Sequence, residues 1–298
     1  MLDKITHIIQ SYWNYLYSSI VDWQAIINPF HTERGNYFYL LIELSLIVWV
    51  LEIIFPWRKN QAIIRKDFWL DAFYMFFNLF FSSILFYGVL SEFTSIGFKN
   101  LMSMIGLPRT DVLDLSTLPM WLQFTLFFLI NDFIQWCVHN SLHRIPLLWR
   151  FHKVHHSVEE MGFAAHLRYH FMETFVYKSV LYIFLSWLFN FDLRYAFILH
   201  AFTIAIGHFN HANINIKYGF LKYILNNPQM HIWHHAKELP KQHPDGMNFG
   251  ITLSIWDYLF KTAYIPSDGR DIKLGFPNSE SFPKTFIGQF FKSFRKNE

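Results

Sequence analysis

The stretch that decides the fold is "NDFIQWCVHNSLHRIPLLWRFHKVHHS", residues 131–157. It opens inside an apolar run and closes in a cluster of imidazoles. His139 and His143 stand at i and i+4, so a helix carries both on one face. His152, His155 and His156 follow at i, i+3 and i+4. "HIWHH" at 231–235 repeats that spacing with His231, His234 and His235. Fourteen of the 16 histidines lie between 139 and 243. A single histidine is ordinarily a core or solvated residue. Eight in HxxxH, HxxHH and HxxHH arrays are a ligand pattern, and imidazole suits Zn, Cu, Fe and Ni.

Helical geometry divides the set. At about 100° per residue, the first and third imidazoles of HxxHH sit about 40° apart and the middle one about 100° from its neighbour. His152 and His156 are therefore expected on one ion and His155 on another. By the same rule His231 and His235 share an ion and His234 serves its partner. The division of His139 and His143 stays open. A structural zinc needs four ligands, so eight or more point to two metals. Asp132 lies two turns before His139 on the same face. A carboxylate this deep in an apolar helix is costly, and it is expected to accept the second N–H of a ligating imidazole; the bland alternative is a helix-end carboxylate reaching water.

The surroundings are those of a membrane protein. Hydrophobic residues make up 53% of the 298 and charged ones 16%, against about 25% charged in soluble domains. The 35 Phe and 11 Trp exceed what one soluble core of this size buries. The net charge of +3 argues against nucleic acid as a partner. The one cysteine, Cys137, excludes intrachain disulfides and a Cys-rich metal knuckle.

Residues 37–55 and 68–93 read as two clear spans and 118–138 as a third. Glu43 and Glu52 in the first are expected to face protein or an interface. The runs 174–190 and 195–207, joined by "FDLR", read as a helical hairpin, and 94–117 as an irregular loop. Arg58, Lys59, Arg65 and Lys66 between the first two spans place that loop in the cytoplasm. All three His motifs then emerge on the cytoplasmic face. The expectation is an all-α polytopic protein of about four spans, a single membrane domain over 1–298. It comprises an amphipathic segment 1–36, a membrane body 37–210 and a cytoplasmic His-rich helical cap 211–298. Residues 2–27 are expected to form one helix packed on the protein's own body, or else an interfacial anchor. No cleavable signal peptide is expected.

"NDFIQWCVHNSLHRIPLLWRFHKVHHS", "GHFNHANI", "HIWHH" and "DGMNFGITLSIWDYLF" resemble the fatty acid hydroxylase / sterol desaturase superfamily of membrane di-iron enzymes, over roughly residues 37–265. "RYHFME" at 168–173 is similar to the family's R-x-H-P-x-E, with Phe171 where Pro is usual. The resemblance implies a lipid substrate, O2 as co-substrate, two Fe ions and a lipid hydroxylase or desaturase activity. It adds His211 as a ninth ligand, and His170 and His208 as ligands or supporting groups. His166, His200 and His243 are left as structural or solvated. With no fused haem module and no Cys pair, electrons must come from a separate ferredoxin- or cytochrome b5-like protein and its reductase. The active site is expected at a bacterial inner membrane or the endoplasmic reticulum. The rival from another class is a membrane cytochrome or metal carrier. Against it, the histidines cluster at helix ends on one side, whereas a carrier places its ligands near the midplane.

Overall fold

The computed structural model describes residues 2–31, 36–82, 91–104, 106, 118–188 and 193–295. Among them the chain is helical, with isolated bridges and no strand. Among the described residues, two helices are long and apolar enough to cross a membrane: α2 (Tyr37–Ile54) and α5 (Met120–Arg144). α5 runs through the third expected span and on to His143 without a break. The second expected span begins as α3 (Phe68–Phe77) and continues as a π turn, Asn78–Ser82. Its remainder, 83–90, lies outside the described residues.

Two sequence expectations need correction. The loop expected over 94–117 is helical at its start, as α4 (Ser91–Met104). The breakers Gly106, Pro108, Asp111 and Asp114 all follow Met104. Only Gly97 falls inside the helix, where one glycine costs about 1 kcal/mol. At the N-terminus, α1 (Leu2–Val21) gives way to a 3-10 turn at Trp23–Ile26 rather than running to 27. Its stripe of Ile9, Trp13, Tyr17 and Ile20 is exposed, while the helix packs on the body as expected: Tyr39 Oη donates to Ile20 O (2.6 Å), Asn36 Nδ2 to Ser19 O (2.9 Å) and Tyr12 Oη to Leu79 O (3.3 Å).

The cap is also less helical than expected. α6 (Pro146–His156), α7 (Phe171–Leu188) and α8 (Leu193–His211) complete the long elements. Beyond them lie three short helices, α9 (Pro228–His234), α10 (Ile255–Leu259) and α11 (Phe286–Lys292). Proline and glycine keep the rest of the cap irregular, and side-chain hydrogen bonds hold it instead. The short apolar run 195–207 lies within α8, whose 19 residues reach roughly 28 Å. Residues 189–192, between α7 and α8, lie outside the described residues.

Buried charges lock these elements together. Glu52 Oε1, on α2, accepts from the backbone N–H groups of Phe163 (2.9 Å) and Asn213 (2.7 Å). Fully buried Arg168 donates to Asp71 (3.0 Å), Asp67 (3.2 Å) and the Ser157 hydroxyl (2.8 Å). Arg65 is also buried against Asp71, so it serves this network rather than the charge of an open loop. Removing one partner of such a cluster costs about 3–5 kcal/mol, because the other charges stay buried unpaired.

Candidate metal centre

α5, α6, α8 and α9 bring nine imidazoles together in two groups. His139, His143, His152, His156 and His234 form one; His155, His211, His231 and His235 form the other. Within each group the ligand atoms lie within 4.8 Å of one another. The middle histidine of each HxxHH crosses over: His234 joins His152 and His156, and His155 joins His231 and His235. Both α5 histidines fall in the five-membered group.

The outward nitrogens show which way the rings face. Nδ1–H of His139 donates to Phe249 O (2.8 Å), of His234 to Met247 O (2.8 Å), of His155 to Arg168 O (3.1 Å) and of His211 to Gly207 O (2.7 Å). His152 Nδ1 donates to Glu173 Oε2 (2.7 Å). These acceptors assign the Nδ1–H tautomer and leave Nε2 with a bare lone pair. The Nε2 atoms face each other: His211 to His155 at 3.3 Å, His231 to His211 at 2.9 Å, His235 to His231 at 3.1 Å and His156 to His234 at 3.1 Å. His155 and His211 have both committed their protons elsewhere, so no hydrogen bond joins them.

Nor does an extra proton fit. Burial holds His152, His156, His231, His234 and His235 well below the usual imidazole value, and His155 at about 3. A metal cation does fit. Bonds of about 2.1 Å at right angles separate neighbouring nitrogens by about 3 Å, which is the observed spacing.

Three residues singled out from sequence lie beside the centre rather than in it. Asp132 meets no imidazole; it accepts from Thr252 N (3.2 Å), Leu253 N (3.3 Å) and Trp256 Nε1 (2.8 Å). The expectation of a ligand partner fails because backbone carbonyls of loop 247–253 take that place. His170 is no ligand: Nε2 donates to Phe290 O (3.2 Å) and Nδ1 accepts from Met172 N (3.2 Å). His208 is likewise spent, on Ser45 Oγ (3.1 Å) and His166 Nδ1 (3.0 Å). Of the histidines left as structural, His166 packs against His208 and His211. It sits where a Cβ on Gly207 would come within 2.2 Å of its Nε2, so glycine is required there. His200 pairs with the Tyr37 hydroxyl (2.6 Å), and His243 lies against Tyr264.

Sequence reasoning missed Glu173 and Asp257. Glu173 stood inside "RYHFME" as the family's acidic position and orients His152. Asp257 accepts from Phe249 N (2.9 Å), Gly250 N (2.8 Å), Trp136 Nε1 (3.0 Å) and Thr262 Oγ1 (2.6 Å). It thereby fixes the loop whose carbonyls orient His139 and His234. Glu173→Gln is expected to lower metal affinity by about 10–100-fold, the usual effect of losing a ligand's orienting partner. Competition against a chelator of known affinity measures it.

A sequence profile of the fatty acid hydroxylase family matches residues 124–262, the segment that carries all nine converging histidines and all of loop 247–253. Residues 124–262 are therefore similar to the fatty acid hydroxylase family. Ornithine lipid hydroxylase OlsE of Rhizobium tropici is 31% identical over 178 residues, 60% of this chain and 52% of that one. Alkylglycerol monooxygenase of Homo sapiens is 26% identical over 245 residues, 78% and 48% of the two chains. The Xenopus tropicalis alkylglycerol monooxygenase is 25% identical over 247 residues, 80% and 48%. The chain thus spans about half the length of these relatives. No solved structure matches.

Proposed function

We propose that the protein is a membrane-bound di-iron oxygenase that hydroxylates a C–H bond of a lipid. The observation that carries this reading is the pair of imidazole groups, whose ligand nitrogens converge to within 4.8 Å of one another in each group. His139, His143, His152, His156 and His234 hold one iron; His155, His211, His231 and His235 hold the other. The net reaction is R–H + O2 + 2e⁻ + 2H⁺ → R–OH + H2O, with both electrons from a separate ferredoxin- or cytochrome b5-like carrier.

The bound irons supply the electrons and the oxidising power for O2 reduction. The chain supplies the rest. Loop 247–253 and Glu173 hold the imidazoles in the ligating tautomer, and burial keeps them neutral and water away. Asp132 acts one step further out, as a positioning residue for that loop. The relatives' names favour hydroxylation over desaturation and an amphiphilic lipid with a polar head. Arg58, Lys59, Arg144, Arg150 and Lys153 favour a cytoplasmic face for the site.

Protein made under iron-replete conditions is expected to hold two metals per chain and to transfer 18O from 18O2 into extracted membrane lipid. One metal or none in active protein refutes the reading. Occupancy is expected to stay flat from about pH 8 to about pH 6 and to fall only in stronger acid. The sign follows from the depressed imidazole values. A proton competes with metal only once the pH nears the folded-state pKa, which burial has moved below the ordinary value of about 6.5. Metal content measured after dialysis across that range checks it.

A further inference from the structure

His143 is half-buried, whereas the other eight converging imidazoles are buried. Trp149 covers it, with ring centroids 5.0 Å apart, and touches His156 (5.3 Å) and His152 (6.1 Å) as well. One half-buried indole thus contacts three histidines of the five-membered group. Around it the chain is basic and partly apolar. Arg144 is exposed and Arg150 half-buried, and Ile145 and Leu147 at the α5–α6 corner are 46% and 57% exposed. Lys153 lies over the ring of Phe276 (5.5 Å), which itself packs on Trp149. The positive charges of Arg150 and Lys292 both act on Lys153. Among the described residues, none of Arg144, Arg150, Lys153 and Lys292 forms an ion pair.

From this juxtaposition we infer that the α5–α6 corner is the docking surface for an acidic one-electron carrier protein, with Trp149 as the contact through which electrons reach the five-histidine group. The inference rests on the di-iron reading above. Each docking oxidises the carrier by one electron and reduces the metal pair by one, so two dockings serve one turnover. Unpaired cations give the surface charge complementary to an acidic partner, and they speed encounter more than they add affinity. The small apolar centre of Ile145 and Leu147 suits a weak, short-lived redox complex, whose interface is typically below about 1,200 Å². An anionic lipid headgroup would satisfy the same cations, but it gives no reason for an indole in contact with three ligands.

The test uses the full metal-loaded chain in nanodiscs of neutral phosphatidylcholine. The probes are a [2Fe–2S] ferredoxin and the soluble haem domain of a cytochrome b5. Saturable binding that weakens with salt is expected. R144E/R150E is expected to weaken it roughly tenfold or more with metal content unchanged. Trp149→Leu is expected to leave binding within about twofold but to slow anaerobic oxidation of the reduced carrier. The inference is overturned if neither probe binds or if charge reversal leaves binding unaltered. It is also overturned if reversal only abolishes a preference for anionic lipid, which makes the patch a headgroup site. Two metals without carrier binding refutes the docking surface alone; absence of metal refutes the di-iron reading beneath it.

Discussion

His155→Ala is expected to leave about one metal per chain and no detectable hydroxylation. His155 belongs to the four-membered group, and its loss leaves only His211, His231 and His235. Losing a mere orienting partner typically costs about 10–100-fold in affinity, so losing one of four direct ligands is expected to cost at least that and to empty the site in dilute protein. Hydroxylation needs both metals in the proposed reaction, so activity goes with the first one lost. His143→Ala offers the contrast. It leaves His139, His152, His156 and His234 on the other group, four imidazoles in all, and is expected to retain both metals. Elemental analysis of the two variants side by side checks the asymmetry. Two metals and full activity in His155→Ala would refute the two-metal mechanism.

That asymmetry was partly open to reading in the sequence. The i, i+3, i+4 spacing of HxxHH fixes ring directions whatever the tertiary structure, because 3.6 residues per turn is a local property. The separation of His155 from His152 and His156, and of His234 from His231 and His235, is therefore a statement about two short helices. What the sequence did not disclose was which group takes His139 and His143, since that depends on how α5 crosses α6. Nor did it disclose what the Nδ1 atoms meet. Asp132 was expected to accept from a ligating imidazole, yet its partners are 120 and more residues away at Thr252, Leu253 and Trp256. Loop 247–253 has no hydrophobic period to betray it, so its carbonyls could not be counted as acceptors. The family resemblance offered His170 and His208 as ligands or supporting groups. Their nitrogens are satisfied by α11 and by Ser45, contacts that spacing along the chain does not encode. Two of the apolar runs were legible as helices long and apolar enough to cross a membrane, but the breakers beyond Met104 hid a helix that begins at Ser91.

The complement of the His155 experiment is Asp257→Ala, which is expected to destabilise the protein and to empty the five-histidine group first. The Asp257 carboxylate is fully buried and accepts four hydrogen bonds, from Phe249 N, Gly250 N, Trp136 Nε1 and Thr262 Oγ1. Alanine leaves those donors buried without an acceptor, at about 1–3 kcal/mol each. The loop has little freedom to repack around the loss. A Cβ on Gly250 would fall 2.4 Å from Leu253 O, which marks how closely the backbone doubles back there. A loss of about 4 kcal/mol lowers the melting temperature by roughly 10 °C in a chain of this size class. The metal effect is selective because of where the loop's carbonyls point. Phe249 O and Met247 O hold His139 and His234, both in the five-membered group. His155 and His211 lean instead on Arg168 O and Gly207 O, which the substitution does not touch. Asp257→Asn keeps an acceptor oxygen for part of the set but turns an amide N–H toward a backbone N–H, so an intermediate loss is expected. Equal loss of both metals, or a melting temperature unchanged from the parent, would show that loop 247–253 stands without Asp257.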